Sequence, residues 1–206
     1  MIPLQLTPGI YQAGLDWLAK NDDDLGRVLS RFGPPPMWNR EPGFATLLQI
    51  ILEQQVSLAS ARAAFLRLLS AVPHLSAAEF LKLDDQRLKQ IGFSRQKIRY
   101  ARILAQKVLT EQIQLGELSS LSDDEVRTEL QKITGIGRWT AEIYLLMALR
   151  RPDIWPAGDL ALIRAAQEVK KLESRPSTEE FAKLGEKWKP WRAVAARILW
   201  HHYLSN

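Results

Sequence analysis

The stretch LQKITGIGRWTAEIYLLM, residues 130–147, decides how the chain is read. Its first part fits the end of a helix that breaks at Thr134-Gly135-Ile136-Gly137, and an apolar helix resumes at Arg138. Two short helices therefore meet at a glycine hairpin. Glycines at 135 and 137 permit positive φ and leave no side chain between the backbone amides and a partner. The first turn of the second helix adds N–H groups that no intrahelical carbonyl accepts, so the hairpin suits an anion such as phosphate. An ordinary αα-corner has the same local pattern, and the rest of the chain has to decide between them.

Length and composition narrow the choices. With 206 residues, 46% hydrophobic and 25% charged, the chain fits one globular domain or two small lobes rather than a disordered segment. There are 28 Lys+Arg against 23 Asp+Glu, a net charge of +5 that permits a polyanionic partner without requiring one. The absence of cysteine excludes disulfides, zinc–thiolate sites and cysteine-held iron–sulfur clusters. The N-terminus MIPLQLTPGIYQ lacks the basic-then-apolar order of a signal peptide, and no run approaches 18 apolar residues. A cytoplasmic protein (nucleoid-associated in a bacterium) or a nuclear one is expected, with no membrane partner.

Helical spacing dominates everywhere. Ile10, Leu15, Leu18, Leu25, Val28 and Leu29 suggest two helices interrupted at Asp22-Asp23-Asp24, and Gly33-Pro34-Pro35-Pro36 closes this arm. Phe44, Leu47, Leu48, Ile51 and Leu52 form one helical face and Leu58, Ala61, Phe65, Leu68 and Leu69 another, with the polar break Glu53-Gln54-Gln55-Val56-Ser57 between them. Ser76/Glu79, Ser122/Glu125 and Ser177/Glu180 carry capping-box spacing. Gly92-Phe93-Ser94 precedes the helical segment RQKIRYARILAQKVLTEQ. Asp159 begins a helix bearing Leu162, Ala166, Val169 and Leu172, and a last helix is expected from Pro190 in its first turn through Leu204. No alternating β-branched run is present. The predicted fold class is all-α, with about ten helices and no repeat.

Asp159 follows a Pro-Ala-Gly turn and lies 22 residues beyond Gly137. An N-cap explains it locally, because aspartate there accepts helix amide hydrogen bonds. Of the seven tryptophans, most are expected in the core, and Trp139 stands out by its place in the first turn after the hairpin. His74, His201 and His202 do not form a metal set, since adjacent helical residues diverge and no third ligand is evident. Arg95, Arg99 and Arg102 share a face that solvent alone explains.

Taken together, ILEQQVSLASA (51–61), GFSRQKIRYARILA (92–105), the hairpin with the downstream WPAGDLAL, and WKPWRAVAARILW (188–200) resemble the helix-hairpin-helix (HhH-GPD) superfamily of DNA glycosylases. Within it, the resemblance is to the alkylation-repair branch called 3-methyladenine DNA glycosylase II. It implies two helical lobes without an N-terminal β domain: about 37–150, including the hairpin at 130–147, and about 1–33 with 151–206, DNA lying in the cleft between them.

The resemblance also implies the roles of individual residues. The catalytic aspartate falls on Asp159. A substrate pocket falls on Trp139, Trp200, Ile143 and Tyr144, Ile143 standing where relatives carry a tyrosine. DNA contacts fall on Gln54, Gln55, Ser57, Gly135, Gly137, Arg138 and Thr140, with Gln55 as the wedge that fills the gap left by a flipped nucleotide. A monovalent cation, Na+ or K+, is implied at the carbonyls of Gln131, Ile133 and Gly135, with no cofactor otherwise required. Bifunctional relatives carry a nucleophilic lysine where this chain has Trp139, which implies a monofunctional enzyme.

The expected activity is removal of alkylated purines from double-stranded DNA by a monomer, through base flipping and aspartate-assisted attack of water, leaving an abasic site. A glycosylase for an oxidised or deaminated base, or a non-catalytic damage-binding protein, is the alternative on the same scaffold.

Overall fold

The computed structural model describes residues 4–206. In chain order the α-helices are α1 (Pro8–Asn21), α2 (Asp23–Phe32), α3 (Phe44–Glu53), α4 (Leu58–Ala71), α5 (Ala77–Leu81), α6 (Asp85–Ile91), α7 (Arg95–Leu109), α8 (Asp123–Gln131), α9 (Arg138–Met147), α10 (Leu160–Val169), α11 (Thr178–Gly185) and α12 (Arg192–Ser205). Two short 3-10 turns complete the elements, and no strand occurs among the described residues.

Side chains set most of the helix starts. Thr7, Asp22, Ser57, Ser76, Asp84, Ser94, Ser122, Asp159 and Ser177 each accept an N–H from the first turn that follows. Each such cap contributes about 1 kcal/mol. The boxes Ser122/Glu125 and Ser177/Glu180 close in both directions. At Ser76 only half the box forms, because the Glu79 carboxylate pairs with Lys82 instead.

The chain divides into two compact units. The first, Arg40–Tyr144, is built on α3, whose Leu47, Leu48, Ile50 and Ile51 are fully buried and which packs on α4 and α7. The rings of Phe44, Phe80 and Phe93 pack in sequence beside it, and the hairpin between α8 and α9 lies in the same unit.

The second unit joins Leu4–Asn39 to Leu145–Asn206 and is built on α12, in which every residue from Ala193 to Trp200 is buried. A helix enclosed on all sides needs partners all round, and α1, α2 and α10 supply them. Gly14 of α1 is a point of close approach, since a Cβ there would come within 2.9 Å of the Trp191 ring. Arg197 lies in this core without a carboxylate partner among its hydrogen bonds. Its guanidinium donates to the carbonyls of Met37, Ala193 and Leu146 at 2.8–2.9 Å, and burial pulls its pKa down to about 10. Lys170 donates to Asp22 and Asp24, and the Trp188 indole donates to Asp22 at 2.8 Å, tying the N-terminal arm to the C-terminal helices.

Helix boundaries differ from expectation in three places, the first being α7, which stops at Leu109 and not at Gln112 because Glu111 turns left-handed at φ 55. The helix after Asp159 stops at Val169 and not beyond Leu172, because Lys171 turns left-handed at φ 52 while the Lys171 and Leu172 amides bond back to the Glu168 and Gln167 carbonyls. Leu172 is left 38% exposed. The last helix begins at Arg192 rather than Pro190: the Lys189–Pro190 peptide is cis, Trp191 is non-helical, and the Arg192 side chain is held by Asp153.

Candidate functional site

Asp159 is placed by the turn before it. The Ala157 amide donates to the Trp155 carbonyl and the Asp159 amide to the Pro156 carbonyl, while the Trp155 indole is fixed by the Phe181 carbonyl at 3.0 Å. Asp159 caps α10, its Oδ1 accepting the Leu162 amide at 2.9 Å. The Trp200 Nε1 lies 3.4 Å from that same oxygen. Both residues keep 8% of their surface exposed, and the neighbouring Leu160 is 67% exposed. The carboxylate is thus a cap that still reaches the surface, with an indole beside it.

In the first unit the hairpin takes an asymmetric form. Gly135 has φ 96, and a Cβ there would run into the Tyr100 ring of α7. Gly137 does not adopt positive φ, and a Cβ there would meet nothing within 4 Å. Of the two glycines expected to permit positive φ, only Gly135 adopts it. Gly135 is required by backbone conformation and by the aromatic ring, whereas Gly137 leaves open space at the start of α9. The Gly137 carbonyl accepts the Ala141 amide, so the first turn of α9 directs its N–H groups out of the helix end.

Gln54 is turned into this hairpin. Its Nε2 donates to the Gly135 carbonyl and to the Thr140 Oγ1, both at 2.9 Å, which brings Gln54, Gly135 and Thr140 together. Thr140 is 2% exposed. Gln55 is exposed and left-handed at φ 56, while Ser57 is spent on capping α4 through the Ser60 amide. Arg138 keeps 75% of its side chain exposed and donates through Nε to the buried Glu142 at 2.9 Å.

The expected pocket residues fare differently from one another. Trp139 is half-buried in the first turn of α9. Ile143 is 2% exposed and Tyr144 fully enclosed. The Tyr144 hydroxyl accepts the Gly43 amide at 2.9 Å at the start of α3, and burial pushes its pKa up to about 12.

For the implied cation, the Gly135 carbonyl faces the Gln54 amide and the Ile133 carbonyl accepts the Ile136 amide at 2.9 Å. Each of these two carbonyl oxygens has a second lone pair, so these bonds do not by themselves occupy the expected set of Gln131, Ile133 and Gly135. Among the described residues no group of three or more acidic or histidine side chains is arranged to hold a metal, and no helix is long and apolar enough to cross a membrane.

Sequence reasoning missed Tyr100, Lys97 and Glu142. Lys97 donates to the Leu52 carbonyl at the end of α3 at 2.6 Å. The signal for Tyr100 was the glycine it covers, since a residue without a side chain often marks a close approach.

Comparison with known proteins agrees with the all-α fold. Residues 48–190 match the HhH-GPD superfamily base excision DNA repair protein family. The alkylbase DNA glycosidase-like protein mag2 of Schizosaccharomyces pombe is 39% identical over 59% of this chain, and the chain spans 58% of that relative's length. DNA-3-methyladenine glycosylase 1 of the same yeast is 28% identical over 93% of this chain and 84% of its own. The solved structure of the S. pombe 3-methyladenine DNA glycosylase Mag1 in complex with abasic DNA superposes with a TM-score of 0.84 at 27% identity, covering 91% of this chain and 95% of that one. With the family match extending over more than half of its length, the chain belongs to the HhH-GPD superfamily of base excision DNA repair proteins.

Proposed function

We propose that the protein is a monofunctional DNA glycosylase that removes alkylated purines of the 3-methyladenine and 7-methylguanine type from duplex DNA. The observation that carries this reading is the Asp159 carboxylate at the start of α10, accepting the Leu162 amide and flanked by Trp200. The glycosylase names of the relatives and the abasic DNA bound to the yeast enzyme support it.

An enzyme acting on a base inside a duplex extrudes the nucleotide, at a cost of a few kcal/mol. The hairpin amides around Gly135 and Gly137 hold the phosphate backbone, Arg138 adds a charge, and Gln55 enters the gap. As the bond from C1′ to the purine N9 breaks, its electron pair passes to the base and neutralises the positive charge of the alkylated ring. Positive charge grows on the sugar, where the fixed Asp159 carboxylate stabilises the transition state more than the ground state. Water attacks C1′ and gives a proton to Asp159, leaving a hydroxyl on the sugar and an abasic site. A cationic base leaves without a second acid, which matches a site built on one carboxylate. Trp200, beside Asp159, offers a π-face to such a base, a contact worth about 0.5–2 kcal/mol. Trp139 stands where bifunctional relatives carry the attacking lysine, so the reaction stops at hydrolysis.

No cofactor takes part. The enzyme works as a monomer wherever its DNA lies, in the cytoplasm or the nucleus. Chromatography of the bases released from methylated DNA tests the reading. Free 3-methyladenine or 7-methylguanine is the expected result, and released oxidised or deaminated bases alone, or none, would overturn it.

A further inference from the structure

Around Gln55 the chain is held from every direction but its own side chain. Leu52, three residues earlier, has its carbonyl capped by the Lys97 amine. Glu53 accepts both guanidinium arms of Arg40 at 2.8 and 3.0 Å, and Gln49 donates to it at 3.3 Å. Gln54 ends α3 in an extended conformation at φ −61 and ψ 124, and Ser57 is committed to the next helix. Between these anchors Gln55 sits exposed at φ 56, a left-handed conformation that a residue with a side chain keeps only where its surroundings over-determine it.

Gln54 differs from the other anchors because its bonds leave the loop. One NH₂ group carries two hydrogens, and here one is aimed at the Gly135 carbonyl and the other at the Thr140 hydroxyl. The first fixes the hairpin at its left-handed residue, on which the Tyr100 ring also bears. The second fixes α9 one residue beyond Trp139. A single amide therefore sets the register of the Gln55 loop against the hairpin and the first turn of α9.

We infer that Gln54 is a positioning residue that couples the Gln55 loop to the phosphate-binding hairpin, so that grip on the backbone and entry into the lesion occur as one event. Its amide makes this coupling from within the protein and not by touching DNA. The inference rests on the glycosylase reading, which gives the two loops their roles.

The experiment compares affinities for a duplex with a stable abasic-site analogue and for the undamaged duplex, across a salt series, using wild type, Gln54→Ala and Thr140→Val. Thermal melts establish the folded fraction. Wild type is expected to prefer the abasic duplex. Gln54→Ala should lose about tenfold of that preference and keep the wild-type salt slope, because no phosphate contact is removed. Thr140→Val, which keeps the buried shape, should lose part of the preference, and adding it to Gln54→Ala should cost little more. If Gln54→Ala is poorly folded, the Thr140→Val result carries the test alone. An unchanged preference in the folded variants, a reduced salt slope for Gln54→Ala, or additive losses would overturn the coupling while leaving the glycosylase reading in place. No preference in the wild type would overturn both.

Discussion

The Trp200 indole N–H points at Asp159 Oδ1 from 3.4 Å, on the same oxygen that accepts the Leu162 amide at 2.9 Å. One carboxylate oxygen thus carries both the helix cap and the contact with α12, and its orientation is fixed before any substrate arrives. The indole does two jobs in the proposed reaction, holding the acid and facing the base. Trp200→Phe separates them by keeping an aromatic ring without the N–H. The single-turnover rate of base release should fall about tenfold, the scale of one lost hydrogen bond to a charged group, with DNA affinity unchanged. A rate within twofold of wild type would show that the indole N–H does not orient Asp159.

The hairpin glycines serve different ends, and substitution should separate them. Gly135→Ala places a methyl group in the Tyr100 ring at a left-handed residue. A loss of about 2 kcal/mol or more is expected, lowering Tm by about 5–10 °C. At Gly137 a methyl group meets open space. Gly137→Ala should leave Tm nearly unchanged and weaken DNA binding, because the methyl group enters the space a phosphate would use. Equal melting losses for the two variants would contradict this division.

The family resemblance sets Trp139 at the place of the lysine that forms a covalent sugar adduct in bifunctional relatives, and the proposed reaction stops at hydrolysis on that ground. Borohydride reduction during turnover should therefore trap no enzyme–DNA adduct on a denaturing gel. A stable adduct would reveal an amine nucleophile and strand-cleaving chemistry.

How much of this was legible beforehand varies with the range of the interaction. The hairpin, the helix ahead of it and the cap at Asp159 could be read from local spacing, since glycine conformation and capping act within three or four residues. The all-α class followed from helical periodicity alone. The partners of Gln54 lie 81 and 86 residues away, and no local pattern tells an amide turned inward from one turned to a ligand. Tyr100 and Lys97 were hidden for the same reason. The boundary at Val169 was missed because a lysine, not a glycine, takes the left-handed position that ends the helix. Arg197 drew no reading from the sequence, because its three carbonyl partners lie up to 160 residues away and no local pattern marks the stretch Ala193–Trp200 as wholly buried.

Asp22 links the arm to the C-terminal helices, and its ionisation makes that link depend on pH. Partial burial works against the charged form, but hydrogen bonds from Lys170, from the Trp188 indole and from the Leu25 amide prevail and hold its carboxyl below the usual range. Between the folded pKa and the higher unfolded one, the unfolded chain binds more protons, so stability rises with pH across that window. The contribution is complete above the unfolded value of about 3.9 and disappears as pH falls through the folded one. Asp22→Asn keeps the cap of α2. Its Tm should therefore lie below that of wild type near pH 6, and the gap should narrow as pH falls toward about 3 and below. A gap independent of pH would show that the charge of Asp22 is not what holds the arm.

The most direct test of the central claim is base release by Asp159→Asn from methylated DNA, measured beside its affinity for the same duplex. Asparagine caps a helix about as well as aspartate, so the fold and the hairpin are preserved while the charge beneath the sugar is removed. The account predicts a loss of release of about 10²–10⁴-fold with affinity within a few-fold of wild type. Release at the wild-type rate would contradict it.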